Sequence, residues 1–196
     1  SIADSDVLLW CLGIASSNKF DVKLSEPDAS PLSLQGPKAF QVMTKVVGEW
    51  AKNLKFFYFK EYEIKNIPVI IARSGWSGEA GYEIYLRDEK KGNELWKIFM
   101  EAGKEYNIAP AAPSQINRIE SGMLSYGSDM GLAENPYDIS LEKFVNLDKK
   151  ADFLSKEALK LISKQGNSRE LVGVEIMKKT SDKFIRDHIP VYEDNI

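Results

Sequence analysis

Between residues 54 and 87 the sequence runs through three strand-like segments with little room for a helix between them. LKFFYFKEYEI is rich in aromatic residues, IPVIIARS is a nearly unbroken apolar run, and GYEIYLR alternates apolar with polar side chains. Alternation is the mark of a strand with one buried face. A glycine-rich stretch, SGWSGEAG, joins the last two segments as a long hairpin connection. Parallel neighbours need a crossover of about a dozen residues or more, usually helical. These segments therefore pair antiparallel, and a doubly wound parallel sheet is excluded here.

The flanking segments fill in an α+β domain. FDVKLSE alternates Phe20, Val22 and Leu24 with polar residues and predicts a first strand. SPLSLQGP predicts a second, with Leu32 and Leu34 inward, ended by Gly36-Pro37, after which Pro37 suits the first turn of a helix. Phe40, Val42, Met43, Val46, Val47 and Trp50 then recur at helical spacing, as do Leu95, Trp96, Ile98, Phe99 and Ala102. Residues 31–106 should thus form one antiparallel sheet under two helices centred near Met43 and Phe99. A short helix with Leu8, Leu9 and Leu12 on one side is expected near residues 6–16. Another is expected in SQINRIESGML with Ser114 as its cap, and a third in LSKEALKLISKQG between Ser155 and Gly166. RELVGVEI should begin new strand structure. The polar, proline-containing stretch at residues 131–152 is the best boundary, which places one domain at residues 1–146 and a second, incomplete one at 147–196. Both ends are expected to be cut from a longer protein, because the chain starts and stops without a docked element.

Composition narrows the chemistry. The chain of 196 residues carries a net charge of -3 with both signs interspersed, so no basic stripe points to nucleic acid. No apolar run is long enough to span a bilayer, and no secretory leader pattern is present. Cys11 is the only cysteine, which rules out an internal disulfide and a cysteine metal cluster and fits a reducing cytoplasm. His188, the only histidine, lies in a charged stretch near the end of the sequence, which weakens every histidine-based triad or zinc scheme. Gly75, Gly78 and Gly81 do not match the dinucleotide-binding pattern, and the serine between the first two lacks the helix that a nucleophile elbow requires.

One constellation survives. Glycines let the connection fold back onto one concave spot. Trp76 offers a flat apolar face there. Glu83 and Tyr85, two residues apart on a strand, share one side, opposite Tyr82 and Ile84. A carboxylate accepts through two oxygens and can take paired hydrogen bonds from an amino-and-ring-NH edge such as a pterin presents. The same residues also make a glycine-rich hairpin with a surface glutamate and a packing tryptophan.

SGWSGEAGYEIYL resembles the TGYTGEDGFEI signature of the glycine cleavage T-protein (aminomethyltransferase) family. RIESGMLSYGSDM is similar to that family's RLEAGMxLYGxD segment, and ADFLSKEALKLI to its xDFIGKEAL segment. Within the family, SIADSDVLLW, SEPDASPLSLQGPKA and LKFF look closest to the dimethylsulfoniopropionate demethylase branch. The resemblance implies a folate-dependent methyl or aminomethyl transferase, with tetrahydrofolate as cofactor and a small sulfonium or aminomethyl compound as donor. It implies a folate-binding domain followed by the start of a C-terminal β-barrel, in a protein that could pair as a homodimer. Glu83 falls on the family's pterin-binding glutamate, Trp76 on an aromatic residue lining the folate pocket, and Tyr85 on a tyrosine of the demethylase pocket.

Trp50 is a candidate for holding a sulfonium by cation–π attraction, or simply the last core residue of its helix. The family's aminomethyltransferases carry an arginine where this chain has Ser114, although Arg118 keeps a second one. Their catalytic aspartate would lie upstream of Ser1, so no catalytic residue is assigned. The iron–sulfur-linked branch carries a cysteine motif where this chain has DFLSKEAL, which argues against that branch.

Overall fold

The structure, a computed structural model, describes residues 4–175. The chain divides into two compact units, Ser1–Gly131 and Leu132–Ile196. The boundary expected near Asn146 falls inside the second of these. His188 and Ile176 lie outside the described residues.

The first unit is built on four antiparallel strands: β1 (Ser30–Gln35), β2 (Phe59–Ile64), β3 (Ile67–Ala72) and β4 (Gly81–Leu86). Their spatial order is β1-β4-β3-β2. The tightest connection is between β2 and β3, where Ile64 faces Ile67. Lys65 and Asn66 both take positive φ, 47° and 65°, the paired left-handed conformation that suits the twist of a two-residue hairpin. The connection between β3 and β4 is long because it carries the glycine-rich loop. β1 enters at the edge beside β4, with Ser33 opposite Glu83 and Leu34 opposite Tyr82.

Alternation on these strands decides the core. Val69 and Ile71 of β3 and Tyr82, Ile84 and Leu86 of β4 are buried together with Leu34, Ile64 and Ile67. Helices α2 (Ala39–Val47) and α3 (Gly92–Gly103) cover that side with Val42, Met43, Val47, Leu95 and Phe99. The fully buried Tyr82 hydroxyl donates to the Ala51 carbonyl at 2.8 Å. The expectation of one sheet over residues 31–106 under two helices holds, as does the opposed facing of Glu83 and Tyr82.

Elsewhere the structure departs from the sequence reading. Residues 20–29 form no strand, and Phe20 and Val22 are exposed. Alternation alone does not make a strand when no neighbour takes its backbone hydrogen bonds. β2 begins at Phe59 and not at Leu54, because Phe57 turns to φ 63° and interrupts the extended chain. The helix after Pro37 starts two residues later, at Ala39. Helix α1 (Asp4–Ser17) forms, but Leu9 and Leu12 on its apolar side stay exposed. Helix α4 (Gln115–Glu120) is capped as expected, with the Asn117 N–H donating to Ser114 Oγ at 3.3 Å.

In the second unit, helix α5 (Lys156–Gln165) ends at Gly166 as expected, but Ser155 makes no side-chain cap and sits at φ 65°. Residues 169–175 carry no strand. Arg169 instead reaches Glu134 at 3.2 Å and Asp138 at 3.6 Å, while the Leu171 N–H donates to the Asp138 carbonyl at 2.8 Å.

Candidate functional site

The side of the sheet that the helices leave open carries the polar residues of β4. Glu83 and Tyr85 are half-buried there, between the buried Tyr82, Ile84 and Leu86 of the covered side. Ser74, just beyond β3, points its hydroxyl at the same place. Ser74 Oγ donates to Glu83 Oε2 at 2.5 Å, and the Tyr85 hydroxyl donates to the same oxygen at 3.3 Å. Among the described residues no donor reaches Glu83 Oε1. Burial raises the pKa of Tyr85 above the ordinary tyrosine value, and the negative charge of Glu83 beside it adds to the rise. The tyrosine therefore stays a proton donor to the carboxylate.

The glycine-rich loop is shaped by a residue that is remote in sequence. Gln35, at the end of β1, donates from Nε2 to the Ser74 carbonyl at 3.2 Å and accepts at Oε1 from Ser77 Oγ at 2.8 Å. Its amide fills the space that a Cβ would need at both Gly75 and Gly81. A side chain at either glycine would have to displace the Gln35 amide from this close approach to the backbone. Gly78 takes φ 75° and faces Ser121 at the end of α4 in the same way.

Trp76 stands in this loop and is 36% exposed. The Arg118 guanidinium lies 5.7 Å from its ring centre. Arg118 is buried and anchored by Asp129 Oδ2 at 2.6 Å and the Met123 carbonyl at 3.1 Å. Asp129 also accepts from the Ser125 N–H at 2.7 Å, so the segment after α4 is tied to the arginine.

The fold brings Glu83 and Tyr85 into direct contact and sets Trp76 in the loop that also supplies Ser74. Trp50 does not join them. It lies in a 3-10 turn, Glu49–Asn53, and packs on the helix-covered side against Tyr62, with ring centres 5.2 Å apart. Its cation–π position is taken by this chain's own Lys60, whose Nζ is 4.3 Å from the ring centre. Ser74, Gln35 and Asp129 adjoin this candidate site without having been singled out in the sequence, where Arg118 was noted only as the retained second arginine. The spacing of Gly75 and Gly81 signals a close approach but not what approaches.

Comparison with known proteins gives this arrangement its context. A family model described as the GCVT N-terminal domain matches residues 2–149. The chain belongs to that family. It is 41% identical over 171 residues to dimethylsulfoniopropionate demethylase of Ruegeria pomeroyi, a match covering 87% of this chain and 46% of that protein. It is 35% identical over 171 residues to the aminomethyltransferase of Caldanaerobacter subterraneus, covering 86% of this chain and 45% of that one.

Among solved structures, the glycine cleavage system aminomethyltransferase T from Bartonella henselae shares the fold with a TM-score of 0.64 at 22% identity. That match covers 85% of this chain and 44% of the other. The chain spans about half the length of the curated relatives it matches. Both kinds of relative in this GCVT N-terminal family are named as enzymes. Among the described residues, no helix is long and apolar enough to cross a membrane.

Proposed function

We propose that this chain forms the folate-binding part of a cytoplasmic enzyme that transfers a methyl group from a small sulfonium donor, such as dimethylsulfoniopropionate, to tetrahydrofolate. The observation that carries the reading is the Glu83 carboxylate. One oxygen is held by two hydroxyls while the other is open to an incoming donor. Tetrahydrofolate fits such a group, because its pterin presents adjacent N–H donors and a carboxylate is acceptor-only. Bound there, it would supply the nucleophile that receives the methyl group.

The residues of this chain bind and orient. Glu83 would hold the pterin edge, and Trp76 would offer the ring a flat apolar face. A sulfonium leaves as a neutral sulfide, so alignment matters more for its methyl group than acid–base assistance. Residues 147–196 are read as the beginning of a further, barrel-type domain. Trp50 is retained for the donor only if its ring is released from Lys60.

The second reading is an aminomethyltransferase of the glycine cleavage kind. Ser114 weighs against it, because this residue caps α4 where those enzymes' pattern has an arginine. A folate-binding module without turnover is the third. Incubating the full-length protein with tetrahydrofolate and each candidate donor, and following 5-methyltetrahydrofolate by chromatography, separates them. Product with the sulfonium alone supports the demethylase. Folate binding without product from any donor supports the module, and no folate binding at all ends all three readings.

A further inference from the structure

We infer that Ser74 is a positioning residue, whose hydroxyl sets the rotation of the Glu83 carboxylate so that Oε1 meets the pterin edge. The inference rests on the folate reading above and deepens it. A glutamate side chain has several rotatable bonds, and a half-buried one without partners samples several orientations. Here Oε2 is fixed at 2.5 Å by Ser74 and more loosely, at 3.3 Å, by Tyr85. With both donors on one oxygen, the plane of the carboxylate is set and the other oxygen is left to accept.

Ser74 is itself held on both sides. On one side the strand ladder continues through Arg73, whose N–H donates to the Tyr58 carbonyl at 2.9 Å. On the other, Gln35 Nε2 donates to the Ser74 carbonyl at 3.2 Å. The hydroxyl is therefore delivered by fixed backbone and not by a mobile loop. This is the general condition for an orienting group to add affinity: its own freedom is lost on folding and not on binding.

The test uses the full-length protein and titration calorimetry with two ligands, tetrahydrofolate and its 2-desamino-2-methyl analogue, which lacks the amino donor of the pterin edge. Ser74→Ala should weaken tetrahydrofolate binding roughly tenfold, within the range of one hydrogen bond to a charged group. Ser74→Thr, which restores a hydroxyl, should recover most of that loss. The analogue lacks the amino donor that would meet Oε1, so Ser74→Ala should barely change its affinity.

Equal losses for both ligands would show a merely structural role and overturn the inference, as would no loss for either. Should Ser74→Ala fail to fold in a thermal melt, Ser74→Cys takes its place with the same expected pattern and the same refutation. Glu83→Gln, run alongside, separates the two levels. If it loses tetrahydrofolate affinity while Ser74→Ala does not, the positioning role falls and the pocket stands. If neither loses affinity, the pocket assignment falls as well.

Discussion

β4 has two sides made from six consecutive residues, and they do different work. On the covered side Tyr82, Ile84 and Leu86 are buried under α2 and α3. On the open side Glu83 and Tyr85 carry a carboxylate and a hydroxyl that bond to each other and to Ser74. One strand therefore holds the fold with its even-numbered side chains and turns polar groups to the open side with Glu83 and Tyr85. The rigidity of the first set gives the second its geometry. Changes on the covered side should appear in stability, and changes on the open side in ligand affinity.

The largest effect should come from Ile84→Ala, a truncation at a site with no exposure. Such a change costs about 2–5 kcal/mol, read as a shifted midpoint in urea. The affinity of the remaining folded protein for tetrahydrofolate should not change, and a large loss there would break the division between the two sides.

Next is Glu83→Gln, which should leave the urea midpoint close to that of the parent. It should weaken tetrahydrofolate by roughly ten- to a hundredfold, the equivalent of about 1.5–3 kcal/mol for a bond to a charged group. Calorimetry on the full-length protein checks it.

Tyr82→Phe is smaller. It removes the hydroxyl bonded to Ala51 and should cost about 0.5–1.5 kcal/mol. It also sharpens a pH effect. Burial raises the pKa of Tyr82, an effect partly offset by the nearby Arg73, and burial together with the Glu83 charge raises that of Tyr85. A group whose folded-state pKa lies above its unfolded value lends stability that is fully present below the unfolded value, about 10 for tyrosine, and is lost as pH rises through the folded one. Stability should fall through that alkaline window, and less steeply in Tyr82→Phe, when urea midpoints are compared across it.

The smallest effect belongs to neither side. Lys45, in the last turn of α2, and Glu105, in the turn after α3, pair at 2.5 Å in solvent. Exposed pairs of this kind are screened and contribute little, so Lys45→Ala should leave the midpoint unmoved.

The sequence disclosed what is periodic and local. The alternation through β4 told which residues share a side, and the helical spacing of Met43 and Phe99 told which helices cover the sheet. The same signal misled at residues 20–29, where alternation exists without a pairing partner. At Trp50 it left two readings, and tertiary packing against Tyr62 puts the ring on the covered side. The contacts of Gln35 with Ser74 and of Arg118 with Trp76 join residues 39 and 42 positions apart, and no local pattern carries such pairings. Glu83 could be read as a binding residue; the hydroxyl that holds it could not.

The amide of Gln35, lodged against both Gly75 and Gly81, makes these three positions interdependent under mutation. An alanine at either glycine evicts the same side chain, so the second replacement meets a space already vacated. The penalties of the pair should add to less than their sum, as expected for sites that share one partner. A shortened side chain at position 35 would make both glycines permissive. In a random library, substitutions at 75 or 81 should therefore be better tolerated in backgrounds where position 35 has already changed, which makes the order in which the three mutate part of the loop's accessible history.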